Sequence, residues 1–246
     1  MLYRSVRVPC GHVRQRVRGQ ERWCLLAQRS LEVKVWGKWA CFTRPEMKVE
    51  RVTYPVMTPT AAQGVLEAIF WKPEFTWRVR EIAVLKPIIY TNIMRNEVNS
   101  VASERSARGW EKAGRGGFVA SEDRAQRNTL ALKDVAYVIR ADVELKPGVD
   151  AHEAKYRDQF RRRVERGQCF AQPYLGCREF SAFFAEPTDE DIPITSGEIG
   201  LGRMLYALDY AADGSGSAKP RFFDATLVNG VLRIPHDSGS GGHDAA

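Results

Sequence analysis

From Thr129 to Leu145 apolar side chains recur at alternate positions, placing Val135, Tyr137, Ile139, Ala141 and Val143 on one side. A side-chain period of two belongs to extended backbone, so the segment is a long strand with one buried face. Such a strand needs partners along its edges and a layer of other elements over its apolar face. Leu31–Trp36 and Phe75–Leu85 alternate in the same way and supply partners. Helical cover comes from two segments. Thr58 is a natural N-cap, Pro59 suits the first helical position, and Pro73 stops a helix that ends at Trp71. Ala61, Val65, Ala68 and Ile69 are expected on its buried face. Residues 151–166 form a second helix, ended by Gly167, with Phe160 and Val164 inward. Tyr174–Phe183 closes the set as a last strand. The order β-α-β, loop, β-α-β predicts an α+β protein of the ferredoxin-like (RRM-type) plan, with helices on one face of an antiparallel sheet. The other face, or its neighbouring loops, is then free for a ligand.

Four stretches fall outside that 31–183 unit or interrupt it. Residues 97–121, including Gly114-Arg-Gly-Gly117, lack periodicity and are expected to form a long loop. Residues 184–236 are expected to add a small β element. It holds a hairpin of Phe222–Val228 and Val231–Ile234 about Asn229-Gly230, a type I′ turn signal. Gly197, Gly200 and Gly202 there predict a turn leading into a strand at Arg203–Tyr210 rather than a phosphate loop. Residues 237–246 have a flexible-tail composition, and residues 1–30 an arginine-rich one without a helical period.

The net charge of +7 looks like a nucleic-acid footprint until it is located. Residues 1–30 hold seven Arg and one Glu, which leaves 30 basic against 29 acidic residues in the rest. Any anionic ligand must therefore be met by segregated charge. Five cysteines, an odd number without a CxxC pair, argue against a disulfide framework and for free thiols in a reducing cytoplasm. No apolar run approaches the roughly 18 residues of a membrane span. No zinc quartet, P-loop or serine triad is present, so neither a metal nor another cofactor is expected.

Three segments carry a resemblance. They are Val35-Trp-Gly-Lys-Trp-Ala-Cys-Phe-Thr-Arg-Pro-Glu-Met-Lys-Val-Glu-Arg51, the Thr53–Pro73 helix segment, and Arg161-Arg-Arg-Val-Glu-Arg-Gly-Gln-Cys-Phe-Ala-Gln-Pro-Tyr-Leu-Gly-Cys-Arg-Glu-Phe180. Together they resemble the CRISPR-associated Cas-five family, in its type I-C (Dvulg) branch, from about Leu31 to about Pro235. The resemblance implies a metal-independent endoribonuclease that cuts CRISPR repeat RNA by 2′-hydroxyl attack. It further implies retention of the guide's 5′ handle within the type I-C surveillance complex, beside that complex's other subunits. Residues 1–30 lie outside it. They are expected to be a mobile arm or an addition from an upstream start codon, the alternative being a basic arm on RNA phosphate.

Cleaving members are expected to place Tyr or His before the Trp that ends the first helix, and Lys-His on the second. Here those positions hold Phe70-Trp71 and Lys155-Tyr156. The catalytic candidates are therefore Lys155 and Tyr156, with His152 and Tyr54 as substitutes for the missing groups, and Lys155 expected to lower the Tyr156 pKa. Lys155, Gln159, Arg162 and Arg166 share one stripe of the second helix, either a solvated face or a phosphate grip. Arg44, Lys48 and Arg51, with the rings of Trp39 and Phe70, suit single-stranded RNA, where cations hold phosphates and rings stack on bases. Trp36 is expected to be buried, and Arg178-Glu179 to pair internally. The alternative to a nuclease is a handle-binding subunit that does not cut. Binding to duplex DNA also fits the charge pattern.

Overall fold

A computed structural model describes residues 30–236 apart from residues 102, 118, 195–196 and 212–215. The arginine-rich segment before Ser30 and the tail from 237 lie outside the described residues. The long alternating strand is β5, Arg124–Leu145, and it organises the sheet. Its second half pairs antiparallel with β1 (Leu31–Ala40) on one edge and β3 (Phe75–Val84) on the other. With β6 (Phe183–Ala185) beyond β1, the order β6-β1-β5-β3 is that of the ferredoxin-like plan.

Helix α1 (Pro59–Ile69) begins as expected, the Thr58 side chain accepting from the Ala61 N–H at 3.3 Å. Its buried face is Pro59, Ala62, Val65, Leu66 and Ile69, one position round from the face expected about Ala61 and Ala68. Leu66 tips the balance, since burying it removes more apolar area than burying either alanine. A second helix, α2 (Glu104–Ala113), stands in the stretch expected to be a loop. The third, α3 (Glu153–Glu165), packs Tyr156, Phe160 and Val164 inward, with Phe160 edge-on to Trp77 at 4.8 Å. Both α1 and α3 join the main core with Val33, Val35, Tyr137, Ile139 and Val143 from the strands.

Two departures change the outline. Between β3 and β5 the chain runs out along β4 (Tyr90–Val98), through α2, and back along the first half of β5. None of the β4 or α2 side chains is buried, so this arm lies outside the core. The last strand is also shorter than expected. Tyr174–Phe180 forms a tight loop closed by Leu175 N–H to Phe180 O at 2.8 Å and Phe180 N–H to Cys177 O at 2.9 Å. Only Phe183–Ala185 lies on β1.

The C-terminal stretch extends the same sheet. Strand β9 (Val231–Arg233) pairs with β3, and β8 (Ala218–Val228) joins it through Asn229-Gly230, both at positive φ as a type I′ turn requires. Outermost is β7 (Glu198–Tyr210), which contains Gly200 and Gly202 within its ladder and not in a turn before it. A short β2 (Arg51–Val52) runs parallel to β5.

On the sheet face away from α1 and α3, charges are paired across neighbouring strands. Arg140 bridges Glu32 at 2.6 Å and Glu81 at 3.1 Å, and Arg233 also meets Glu81. Beside these pairs lies a small apolar cluster of Ala83, Val138 and Val231. These charges are thus spent within the sheet. Among the described residues, no helix is long and apolar enough to cross a membrane.

Candidate functional site

The C-terminal end of α1 and the exposed stripe of α3 meet at one place, and a chain of rings joins them. Phe70, which caps α1, lies 5.5 Å from Phe75, and Phe75 lies 5.2 Å from Tyr156. Trp77 donates its indole N–H to the Phe70 carbonyl at 2.9 Å. Arg163 crosses from α3, donating to the Ile69 carbonyl at 2.8 Å with its guanidinium 5.2 Å from the Phe70 ring. Helix α1 has no basic residue in its own last turn, so this arginine supplies the cation that the helix's carbonyl end favours.

Lys155 is exposed on the same helix, its Nζ 5.7 Å from the Tyr156 ring. Arg162 and Arg166 continue its stripe toward the C-terminus and are exposed too. Arg157 and Arg161 are paired with Glu153 and Asp158, whereas Lys155 and Arg166 face no carboxylate among the described residues. Two cations on one exposed stripe, with no internal partner, form the segregated charge an anionic chain needs in a nearly neutral protein.

Tyr156 is 3% exposed and packed against Phe75. Burial raises its pKa, and the Glu74 charge raises it further. This overturns the expectation that Lys155 lowers it: the phenol is held protonated, a donor and not a base. Phe70, 1% exposed, is a core ring and not a stacking platform. Tyr54 is buried as well, its ring under the Arg44 guanidinium at 4.6 Å, and burial pushes its phenol up. None of its contacts links it to Lys155. His152 is the N-cap of α3, its Nδ1 accepting from the Ala154 N–H at 3.2 Å. That nitrogen is occupied as a cap and is not free to take a substrate proton.

The Arg44–Arg51 strip separates into exposed and engaged members. Lys48 is exposed, and Arg44 is half-buried over Tyr54, 3.8 Å from Glu46. Trp39 is half-buried between Lys38, 4.5 Å from its ring, and Phe180. Trp36, expected to be buried, is only partly covered and stacks on Phe183. Arg51 is consumed internally. It meets Glu179 at 3.2 Å, Glu97 at 3.6 Å and the Cys177 sulfur at 3.3 Å, while Arg95 meets the same two carboxylates. Glu179 thus pairs internally, but with Arg51 and Arg95 and not with its neighbour Arg178. Against its burial, a backbone hydrogen bond and these arginines hold the Glu179 carboxyl below its usual range. Beneath them, the hydrogen bond from Cys41 and the nearby Arg51 lower the Cys177 thiol to about 6 despite burial.

Exposed rings do flank the site, but at positions sequence reasoning passed over. Trp71 is 52% exposed just beyond α1, and Phe170 is 74% exposed on the segment whose Phe170 and Ala171 N–H groups bond the Ala68 carbonyl. The rings suit stacking, and the open cations of α3 suit phosphate. Among the described residues, no group of three His, Cys, Asp or Glu side chains is gathered to hold a metal.

A ferredoxin-like protein with an aromatic and basic surface at the ends of two helices belongs to the class built to hold single-stranded nucleic acid. The comparisons narrow the class. The family described as CRISPR-associated protein (Cas_Cas5), in its Cas5d form, matches residues 30–234. A Thermus thermophilus protein named CRISPR pre-crRNA endoribonuclease Cas5d is 43% identical over 220 residues, 83% of this chain and 91% of its own. A protein of the same name from Mannheimia succiniciproducens is 43% identical over 217 residues, 83% of this chain and 94% of its own. The crystal structure of a CRISPR-associated protein superposes with a TM-score of 0.61 at 24% identity, over 85% of this chain and 93% of that one. A functionally uncharacterized protein from Streptococcus mutans does so at 0.60 and 20%, over 85% and 94%. The chain belongs to the Cas5 family of CRISPR-associated proteins, in its Cas5d branch.

Proposed function

We propose that this protein is a pre-crRNA endoribonuclease of the type I-C system, which cuts CRISPR repeat RNA and stays on the 5′ handle as a subunit of the surveillance complex. The single observation that carries the reading is Lys155, an exposed cation without a carboxylate partner beside a protonated phenol, in a chain 43% identical to two proteins named for that activity. Cleavage proceeds by attack of a 2′-hydroxyl on the adjacent phosphorus, giving a 2′,3′-cyclic phosphate and a free 5′-hydroxyl. Lys155 neutralises the charge that builds on the phosphorane oxygens. Tyr156, kept protonated, donates toward the departing 5′-oxygen, an acid–base contribution worth about 10²–10⁴ in rate. Arg162, Arg166 and Lys48 hold phosphates, and Trp71 and Phe170 offer faces to bases.

A second reading is supported by Phe70, which lacks an ionisable group and is sealed in the core: the same grip without cleavage. Labelled repeat RNA incubated with the protein in EDTA separates the two. Discrete product ending in a cyclic phosphate supports the nuclease, and retention without product supports the scaffold. Competition by duplex DNA at stated salt, run beside it, measures any binding to DNA.

A further inference from the structure

The reaction needs a group to accept the 2′-hydroxyl proton, and three of the four sequence-based candidates are held protonated or engaged by their surroundings. Tyr54 and Tyr156 are held protonated, and the Nδ1 of His152 is spent on a helix cap. Glu74 was not among those candidates. It follows the α1 exit, and the next residue, Phe75, lies 5.2 Å from the Tyr156 ring. The Glu74 main chain is fixed, its carbonyl accepting from the Lys146 N–H at 2.9 Å. Its carboxylate is not: Oε2 is buried and has no hydrogen-bond partner among the described residues. The Tyr156 hydroxyl likewise bonds no described residue. Its contacts are through its ring, to Phe75 and Lys155.

Leaving a buried carboxylate oxygen unpaired costs stability, typically about 1–3 kcal/mol or more for a charged group. A glutamate with only a structural role would be paired, as Glu81, Glu97 and Glu179 are here. An unpaired carboxylate oxygen one residue before the ring that contacts Tyr156, and a phenol hydroxyl without a bonding partner near the Lys155 ammonium, make the pattern of a site waiting for a ligand. The ligand must offer a hydroxyl to the carboxylate, an acceptor to the phenol and an anion to the lysine. A ribose 2′-hydroxyl, a 5′-oxygen and the phosphate between them meet that description.

Building on the nuclease reading, we infer that Glu74 is the general base, taking the 2′-hydroxyl proton while Tyr156 donates to the 5′-oxygen and Lys155 holds the phosphate. In the step the 2′-oxygen bonds to phosphorus, the bond from phosphorus to the 5′-oxygen breaks, and the electron pair leaves with that oxygen. The 2′ proton moves to Glu74, the Tyr156 proton caps the 5′-oxygen, and both side chains return to their starting states by exchange with water. The Glu74 charge acts on the Tyr156 phenol of α3, and the Lys146 main chain bonds the Glu74 carbonyl.

The test is single-turnover cleavage of repeat RNA in EDTA by the full chain, with rate, RNA affinity and melting temperature compared for wild type, Glu74→Gln and Glu74→Asp. Loss of a general base predicts a fall of about 10²–10⁴-fold for E74Q. RNA affinity should stay within about twofold and the melting temperature should not drop, because the oxygen removed has no partner to lose. E74D keeps the carboxylate but shortens its reach, so its rate should lie between the two. If wild type cleaves and E74Q matches it, or E74Q loses only affinity, Glu74 is not the base and the nuclease reading stands. If wild type does not cleave, both fall.

Discussion

Replacing Arg163 by alanine separates the architecture of the site from its chemistry. The guanidinium donates to the Ile69 carbonyl at 2.8 Å and covers the Phe70 ring at 5.2 Å, so one side chain ties α3 to the end of α1. A hydrogen bond from a charged donor is worth about 1.5–3 kcal/mol. The cation–π contact adds about 0.5–1, and the two overlap enough that a combined loss of about 2–3 kcal/mol is the reasonable expectation. For a chain of this size each kcal/mol moves the melting temperature by about 2–4 °C, so R163A should melt roughly 4–12 °C lower. Thermal unfolding followed by circular dichroism measures this directly. Arg163→Lys should recover part of the loss, since lysine keeps the charge near the helix end but not the planar fork. A melting point for R163A within ~1 °C of wild type would refute the reasoning and show that α1 and α3 are held by ring packing alone.

Other consequences follow from particular contacts. Gly176 has φ +85, and a Cβ there would lie 2.0 Å from the Cys41 carbonyl oxygen, so Gly176→Ala should cost about 2–5 kcal/mol in denaturant unfolding. Gly148→Ala, at φ +82 with nothing within 4 Å, should cost only about 1 kcal/mol, and equal losses would show that the close approach is unimportant. Cys177 is lowered from 9.0 to about 6, so its ionisation stabilises the folded chain fully above the ordinary thiol value, and the gain disappears as pH falls through about 6. The melting-point advantage of wild type over Cys177→Ser should therefore be larger near pH 8 than near pH 5.5. A constant difference would contradict the Cys41 and Arg51 contacts at that sulfur.

The sheet and its helical layer were legible because their residues obey simple periods. Alternation in β1, β3 and β5 and the cap at Thr58 sufficed, and Asn229-Gly230 marked its hairpin. The β4–α2 arm was not legible, because periodicity reveals an element only when it buries a face, and this arm buries none. The last strand was misplaced because Tyr174–Phe180 has strand-like composition but spends its backbone hydrogen bonds within its own loop. At the site, Lys155 and its stripe were visible as charge at helical spacing. Tyr156 was named as a candidate, but its burial against Phe75 was not foreseen, and Arg163 and Glu74 were not singled out, since their roles depend on α1 and β3, which are distant in sequence. Spacing alone does not tell an arginine that caps another helix from the two beside it. Nor does it mark an unpaired carboxylate. Trp71 and Phe170 could have been suspected as rings next to helix ends, but their exposure is a tertiary fact.

The most direct test of the account is the single-turnover rate of wild type and Lys155→Ala on labelled repeat RNA in EDTA, with the product ends analysed. The account predicts a wild-type product ending in a 2′,3′-cyclic phosphate, and a rate for K155A lower by about 10²-fold or more. Equal rates for the two proteins, or RNA held by wild type without any cut, would contradict it.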